Sequence, residues 1–158
     1  MSDPRLTYDH FTKAAPAAHA ALLAMGKAVE DAGLDKAIVE LVKLRVSQIN
    51  KCAFCLQIHL NVARRLGIPA EKIDLVATWE EAGVFSEKEG AALAWAEALV
   101  HLPLAAVSDE IHARARAQFS EDELMWLSVA IANINAWNRL GAAYRFTPPV
   151  PKKIPAAA

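Results

Sequence analysis

Helix punctuation constrains this chain more than any other feature of its sequence. Start and stop signals recur along it, and between them no segment sustains the two-residue apolar alternation of a half-buried strand. Alanine is abundant, and the few glycines read as falling at element ends. The expected fold class is all-α, a single-domain, oligomeric bundle of about six to seven helices. Pro16 opens a helix to about Asp31, where Gly33 offers a left-handed stop. Asp35 caps a second through about Gln48, in which Ile38, Leu41, Val42 and Val46 recur at helical spacing. Asn50 reads as the cap of a third, Lys51 to Leu66, closed by Gly67, and Pro69 begins a fourth that ends near Gly83. Ser86 with Glu89 forms a capping box for a fifth helix to about His101, with Pro103 preventing simple continuation. A short helix near Asp109 to Gln118 follows, and Ser120 with Glu123 opens a long apolar helix through about Leu140. Pro148, Pro149, Pro151 and Pro155 imply an extended tail, free or draped over a neighbour. The expected organisation is an amino-terminal extension (1–14), a helical domain (15–147) and a Pro/Ala-rich tail (148–158).

Composition narrows the classes of function. A chain of 158 residues suits one domain able to bury roughly two-thirds of its unfolded surface, so a core needs no disulfide staple. The 17 basic and 18 acidic residues are spread along the chain, without the basic stripe that nucleic acid or anionic lipid would select. Partners are expected to be small molecules or proteins. No apolar run reaches the ~18 residues of a membrane span, and the amino terminus lacks the apolar stretch of a signal peptide. A cytoplasmic location is therefore expected, where a Cys-x-x-Cys pair is normally reduced and catalytic or metal-binding. A hydrophobic fraction of 54% with positive mean hydropathy suggests apolar helix faces buried between subunits of a homo-oligomer.

Cys52 and Cys55 are the only cysteines, three positions apart, and His59 follows one turn later. On a helix these residues form one stripe at i, i+3 and i+7. A cap at Asn50 would put both thiols near the first turn, where unpaired amides and the helix dipole favour a thiolate. His59, four residues beyond Cys55, is a candidate base or proton carrier because histidine titrates near neutral pH. Glu40 lies in an otherwise apolar stretch. Folded back at the reversal near Asn50, it could orient His59 or accept a proton from Cys52; equally, it could pair with Lys43 or Arg45 on a solvated face.

Taken together, Glu40, Arg45–Asn50, the Cys52-x-x-Cys55-x-x-x-His59 motif and the late Asn133–Leu140 segment resemble the alkylhydroperoxidase D-like (AhpD-like) proteins of the carboxymuconolactone decarboxylase superfamily. The resemblance covers roughly residues 15 to 147. Its specificity lies in the glutamate twelve residues before the first cysteine and the histidine four after the second. It implies an all-α oligomer, a trimer or hexamer, that reduces hydroperoxides through a cysteine pair without metal, haem or other cofactor. It further implies Cys55 as peroxidatic thiol, Cys52 as resolving thiol, Glu40 with His59 as proton relay, and a dithiol or disulfide reductase as electron donor. The best-characterised members carry a histidine immediately before the second cysteine, where this chain has Phe54. Members that decarboxylate muconolactones lack the cysteine pair, so its presence here argues against that activity.

Competing readings are a non-enzymatic thiol redox sensor or interaction protein, and a zinc site built from Cys52, Cys55, His59 and Glu40. His10, His19, His101 and His112 read as surface or helix-end residues, and Trp79, Trp95, Trp126 and Trp137 as core or interface packing. Asn133, Asn135 and Asn138 are costly in an apolar helix unless paired, in the thiol pocket, across a subunit boundary or in a core network. Glu40–Asn50 also aligns without gaps on Glu123–Asn133, a weak sign of duplication.

Overall fold

The computed structural model describes residues 3–102 and 104–151. Among them are nine α-helices and one 3₁₀ turn: α1 (Tyr8–Ala14), α2 (Pro16–Asp31), α3 (Lys36–Ile49), α4 (Ala53–Arg65), α5 (Ala70–Leu75), the turn Val76–Thr78, α6 (Trp79–Ala82), α7 (Glu87–Val100), α8 (Asp109–Arg116) and α9 (Glu121–Tyr144). The caps read from the sequence open these helices by occupying amides that a helix cannot satisfy itself. Asp35 accepts from Ala37 at 2.8 Å, and both capping boxes close reciprocally, Ser86 with Glu89 and Ser120 with Glu123.

Helix α3 is the centre of the bundle. It packs against α4, α7 and α9, and Val42, Leu44, Val46 and Ser47 are wholly buried. Each such aliphatic side chain contributes about 1.5–3 kcal/mol by leaving water. A helix apolar on most of its circumference has to be surrounded, which explains why Glu40, carried on α3, is also taken inside.

Four boundaries differ from those expected. Helix α1 was not anticipated: Thr7 caps it through the His10 amide, but Phe11 is its one buried residue, too little for a periodic signal. The fourth helix is split into α5, a 3₁₀ turn and α6, because its buried residues Ile73, Val76 and Trp79 recur every three positions, the 3₁₀ repeat. The long helix continues past Leu140 to Tyr144 and stops where Arg145 turns left-handed at φ 55°. The third begins later than expected, at Ala53. The aligned segments 40–50 and 123–133 likewise diverge, since the first ends in a bend and the second runs on unbroken within α9. Pro103 and Pro155 lie outside the described residues. The described start of the tail follows α4, where Asn61 donates to the Pro149 carbonyl at 3.0 Å. No helix among the described residues is long and apolar enough to cross a membrane.

Candidate functional site

The site is built at the bend between α3 and α4. The Lys51 amide donates to Gln48 at 3.1 Å and the Cys52 amide to Ser47 at 3.0 Å, a Schellman closure with Lys51 in the left-handed conformation at φ 54°. Asn50 therefore ends α3 and does not cap α4. Cys52 is the cap, its sulfur accepting from the Cys55 amide at 3.3 Å. The Asn50 side chain is spent elsewhere, donating to Asn135 at 2.8 Å and Asn138 at 3.0 Å, while Asn138 donates to Ser47 at 3.2 Å. Two of the three α9 asparagines thus form a core network that pins the bend. The third, Asn133, donates to the Leu22 carbonyl at 3.2 Å and borders the thiol cavity.

Cys52 and Cys55 are joined as a disulfide with Cα atoms 5.4 Å apart, and both are buried, at 1% and 3% exposure. Cys55, His59, Lys43, Phe54 and Trp137 line a cavity of about 300 Å³, which Cys52 does not border. Phe54 packs against Tyr8 and Phe146, with ring centroids 5.3 and 5.4 Å away. Tyr8 in turn shares a 2.7 Å hydrogen bond with His19, so α1 closes one side of the cavity with aromatic rings.

Glu40 takes partners from both of its open readings, but it is buried and does not lie on a solvated face. One carboxylate oxygen accepts from Lys43 at 2.8 Å, and the other meets His59 Nδ1 at 2.7 Å. Burial by itself would raise the Glu40 carboxyl. The hydrogen bonds and charges of His59 and Lys43 outweigh it, and the group lies below its ordinary value of 4.5. An ionised carboxylate only accepts, so Nδ1 carries the proton and a neutral His59 keeps its lone pair on Nε2. Arg45, the other cation considered for Glu40, is held instead by Glu97 at 2.5 Å. Among the described residues no group of three or more His, Cys, Asp or Glu is arranged to hold a metal ion.

The carboxymuconolactone decarboxylase family model matches residues 16–98, more than half of the chain and the part that carries Glu40, both cysteines and His59. The chain belongs to that family. Within it, this AhpD-like member is 34% identical to the uncharacterized Bacillus subtilis protein YdfG over 82% of this chain and 88% of the relative. It is also 34% identical to the uncharacterized Escherichia coli protein YnjA, over 70% of this chain and 60% of the relative. The crystal structure of ATU0492 from Agrobacterium tumefaciens, a protein of unknown function carrying the AhpD antioxidant-defence name, superposes with a TM-score of 0.89 at 36% identity. That match covers 94% of this chain and all of the other.

Sequence reasoning missed one residue of this family member's site. Gly141, inside α9, lies against the disulfide: a Cβ there would stand 2.7 Å from Cys52 Sγ and 3.2 Å from Cys55 Sγ. The glycines do not all fall at element ends, and a glycine within a helical pattern was the available signal of close approach. Of the other residues weighed, His19 joins the aromatic cluster and Trp137 lines the cavity, whereas His10, His101 and His112 are exposed. Trp79 and Trp95 are buried and Trp126 is exposed.

The lowered Glu40 value has a stability consequence of definite sign. Ionised Glu40 stabilises the fold; the contribution is complete above the ordinary value of 4.5 and is lost as pH falls through the lower folded value. Melting temperature measured from about pH 7 down to about pH 3 should therefore fall more steeply in the wild type than in Glu40→Gln. Parallel curves would show that this carboxylate is not a source of the acid sensitivity.

Proposed function

We propose that this protein is a thiol-dependent hydroperoxide reductase in which Cys55 attacks, Cys52 resolves, and Glu40 with His59 relays protons. The observation that carries this reading is a closed cysteine pair at a helix start, with Cys55 and a carboxylate-bound histidine on one cavity wall. Family membership supports a peroxide-related redox role of this kind.

His59 Nε2 first takes the proton of the Cys55 thiol; the resulting thiolate takes the distal oxygen of ROOH, the O–O bond breaks, and the departing RO⁻ receives that proton back from His59, giving Cys55 sulfenic acid and ROH. The Cys52 thiol then displaces the sulfenic hydroxyl, forming the disulfide and water. An external dithiol, supplied as a small molecule or by a disulfide reductase, attacks the cavity-side sulfur of Cys55 and expels Cys52 as a thiolate. The position of Cys52 supports that last step, because the cap sulfur accepts from a backbone amide at the positive end of α4. Exchange through both thiols of the donor returns the pair to its reduced form and leaves the donor oxidised.

Consumption of tert-butyl hydroperoxide by the reduced protein tests the reading. With excess dihydrolipoamide, many equivalents should disappear per chain; without it, one. One equivalent in both arms would mark a redox sensor and overturn the enzymatic reading.

A further inference from the structure

The sequence offers Lys43 only as a solvated-face partner for Glu40, yet its side chain is 19% exposed, that of Glu40 8% and that of His59 15%. The three groups form a continuous chain across α3 and α4, from Lys43 Nζ to Glu40 Oε1 at 2.8 Å and from Glu40 Oε2 to His59 Nδ1 at 2.7 Å. Lys43 and His59 both reach the wall of the cavity that holds Cys55. We propose that Lys43 is a positioning residue for the proton relay: its ammonium occupies one oxygen of Glu40, keeps the carboxylate ionised, and so holds His59 in the tautomer whose basic nitrogen is Nε2.

A buried carboxylate tends to neutralise unless cations or donors face it. The protonated form would carry a hydrogen on one oxygen and compete with Nδ1–H as donor, which would free the ring to exchange tautomers. His59 cannot by itself prevent this, because it is the group whose charge changes as it gives up and regains its proton. Lys43 supplies a positive charge that persists through that cycle. The other charged groups near Glu40 are Glu30 of α2 and Lys36 of α3, which border a neighbouring hollow with Glu40 and Lys43. Lys27 of α2 is engaged with Asp31, and Arg45 with Glu97 of α7. Lys43 and His59 are the groups in contact with the Glu40 carboxylate, and the carboxyl lies below its ordinary value with both of them among the causes.

Lys43 has this role in catalysis only if the site reduces hydroperoxides, as proposed above, so the test separates the two. Lys43→Met, Lys43→Gln and Lys43→Arg are compared with the wild type by carbon NMR titration of the Glu40 carboxyl, nitrogen NMR of the His59 ring, and single-turnover oxidation by tert-butyl hydroperoxide. In the methionine and glutamine variants burial should dominate and the Glu40 midpoint should rise into the neutral range. The His59 signals should move from the Nδ1–H form toward mixed tautomers, and oxidation should slow about tenfold. Lys43→Arg should restore all three. The glutamine variant keeps the test available if the methionine variant does not fold. Unchanged Glu40 and His59 signals would overturn the proposal, as would an arginine variant as altered as the methionine one. A wild type that consumes no peroxide overturns the reaction, while the two titrations still decide the role of Lys43.

Discussion

Cys55→Ser should reduce hydroperoxide consumption to the rate of the uncatalysed reaction, because the serine hydroxyl at its ordinary acidity offers essentially no anion to attack oxygen. Cys52→Ser should behave differently. It should consume one equivalent and stop with a sulfenic acid on Cys55, seen by mass spectrometry as one added oxygen or as a dimedone adduct. The asymmetry rests on the site, since Cys55 borders the cavity and Cys52 does not. A case for the reverse assignment also exists in the chain, because Cys52 is the residue at the helix cap and receives the amide hydrogen bond. Cap stabilisation favours a thiolate, but it serves a departing thiolate as well as an attacking one. The two variants decide between these uses. Retained peroxide turnover in Cys55→Ser would sink the assignment.

Gly141→Ala should lower the stability of the oxidised protein, against the general trend for glycine in helices. Alanine ordinarily gains about 1 kcal/mol over glycine within a helix. Here the new methyl would stand 2.7 Å from Cys52 Sγ and 3.2 Å from Cys55 Sγ, and neither sulfur is the free end of a flexible side chain while the two are bonded. Overpacking of this kind costs about 1–3 kcal/mol, so the net loss should be up to about 2 kcal/mol, or a melting temperature lower by up to roughly 8 °C. Reduction frees both thiols to rotate, and the penalty should shrink. Gly141→Ala is therefore expected to make the disulfide easier to reduce, read as a shift of the thiol–disulfide equilibrium against glutathione. An oxidised variant that melts higher than the wild type would show that α9 does not press on the pair.

Much of this site was readable before any coordinates. The placing of Cys55 and His59 on one face follows from helical period, whereas Cys52 is the extended cap ahead of α4, and an acidic residue in the apolar run Ile38–Val42 marks Glu40 as unusual. What spacing could not say is which neighbour Glu40 chooses, since an i, i+3 lysine and a histidine across a bend are both within reach. The structure shows that it takes both, one with each oxygen. Asn50 illustrates the opposite case. Its residue type suits a helix start, but Asn135 and Asn138 lie 85 and 88 positions away, and local propensity carries no information about partners at that distance. Once the Asn50 amide is committed to them, the cap falls to Cys52.

The sequence by itself determined the class and the outline: an all-α chain, because caps and stops act within a few residues, and a thiol pair with histidine and glutamate at set intervals. The tertiary structure decided how that outline becomes a site. It brought α9 against the sulfurs at Gly141, set α1 and its aromatic residues along one side of the cavity, and placed Lys43 and His59 on the two oxygens of one carboxylate. The reason is the range of the forces involved. Capping and periodicity are properties of contiguous residues, whereas close packing and buried charge pairing depend on which surfaces meet when the central helix α3 is enclosed.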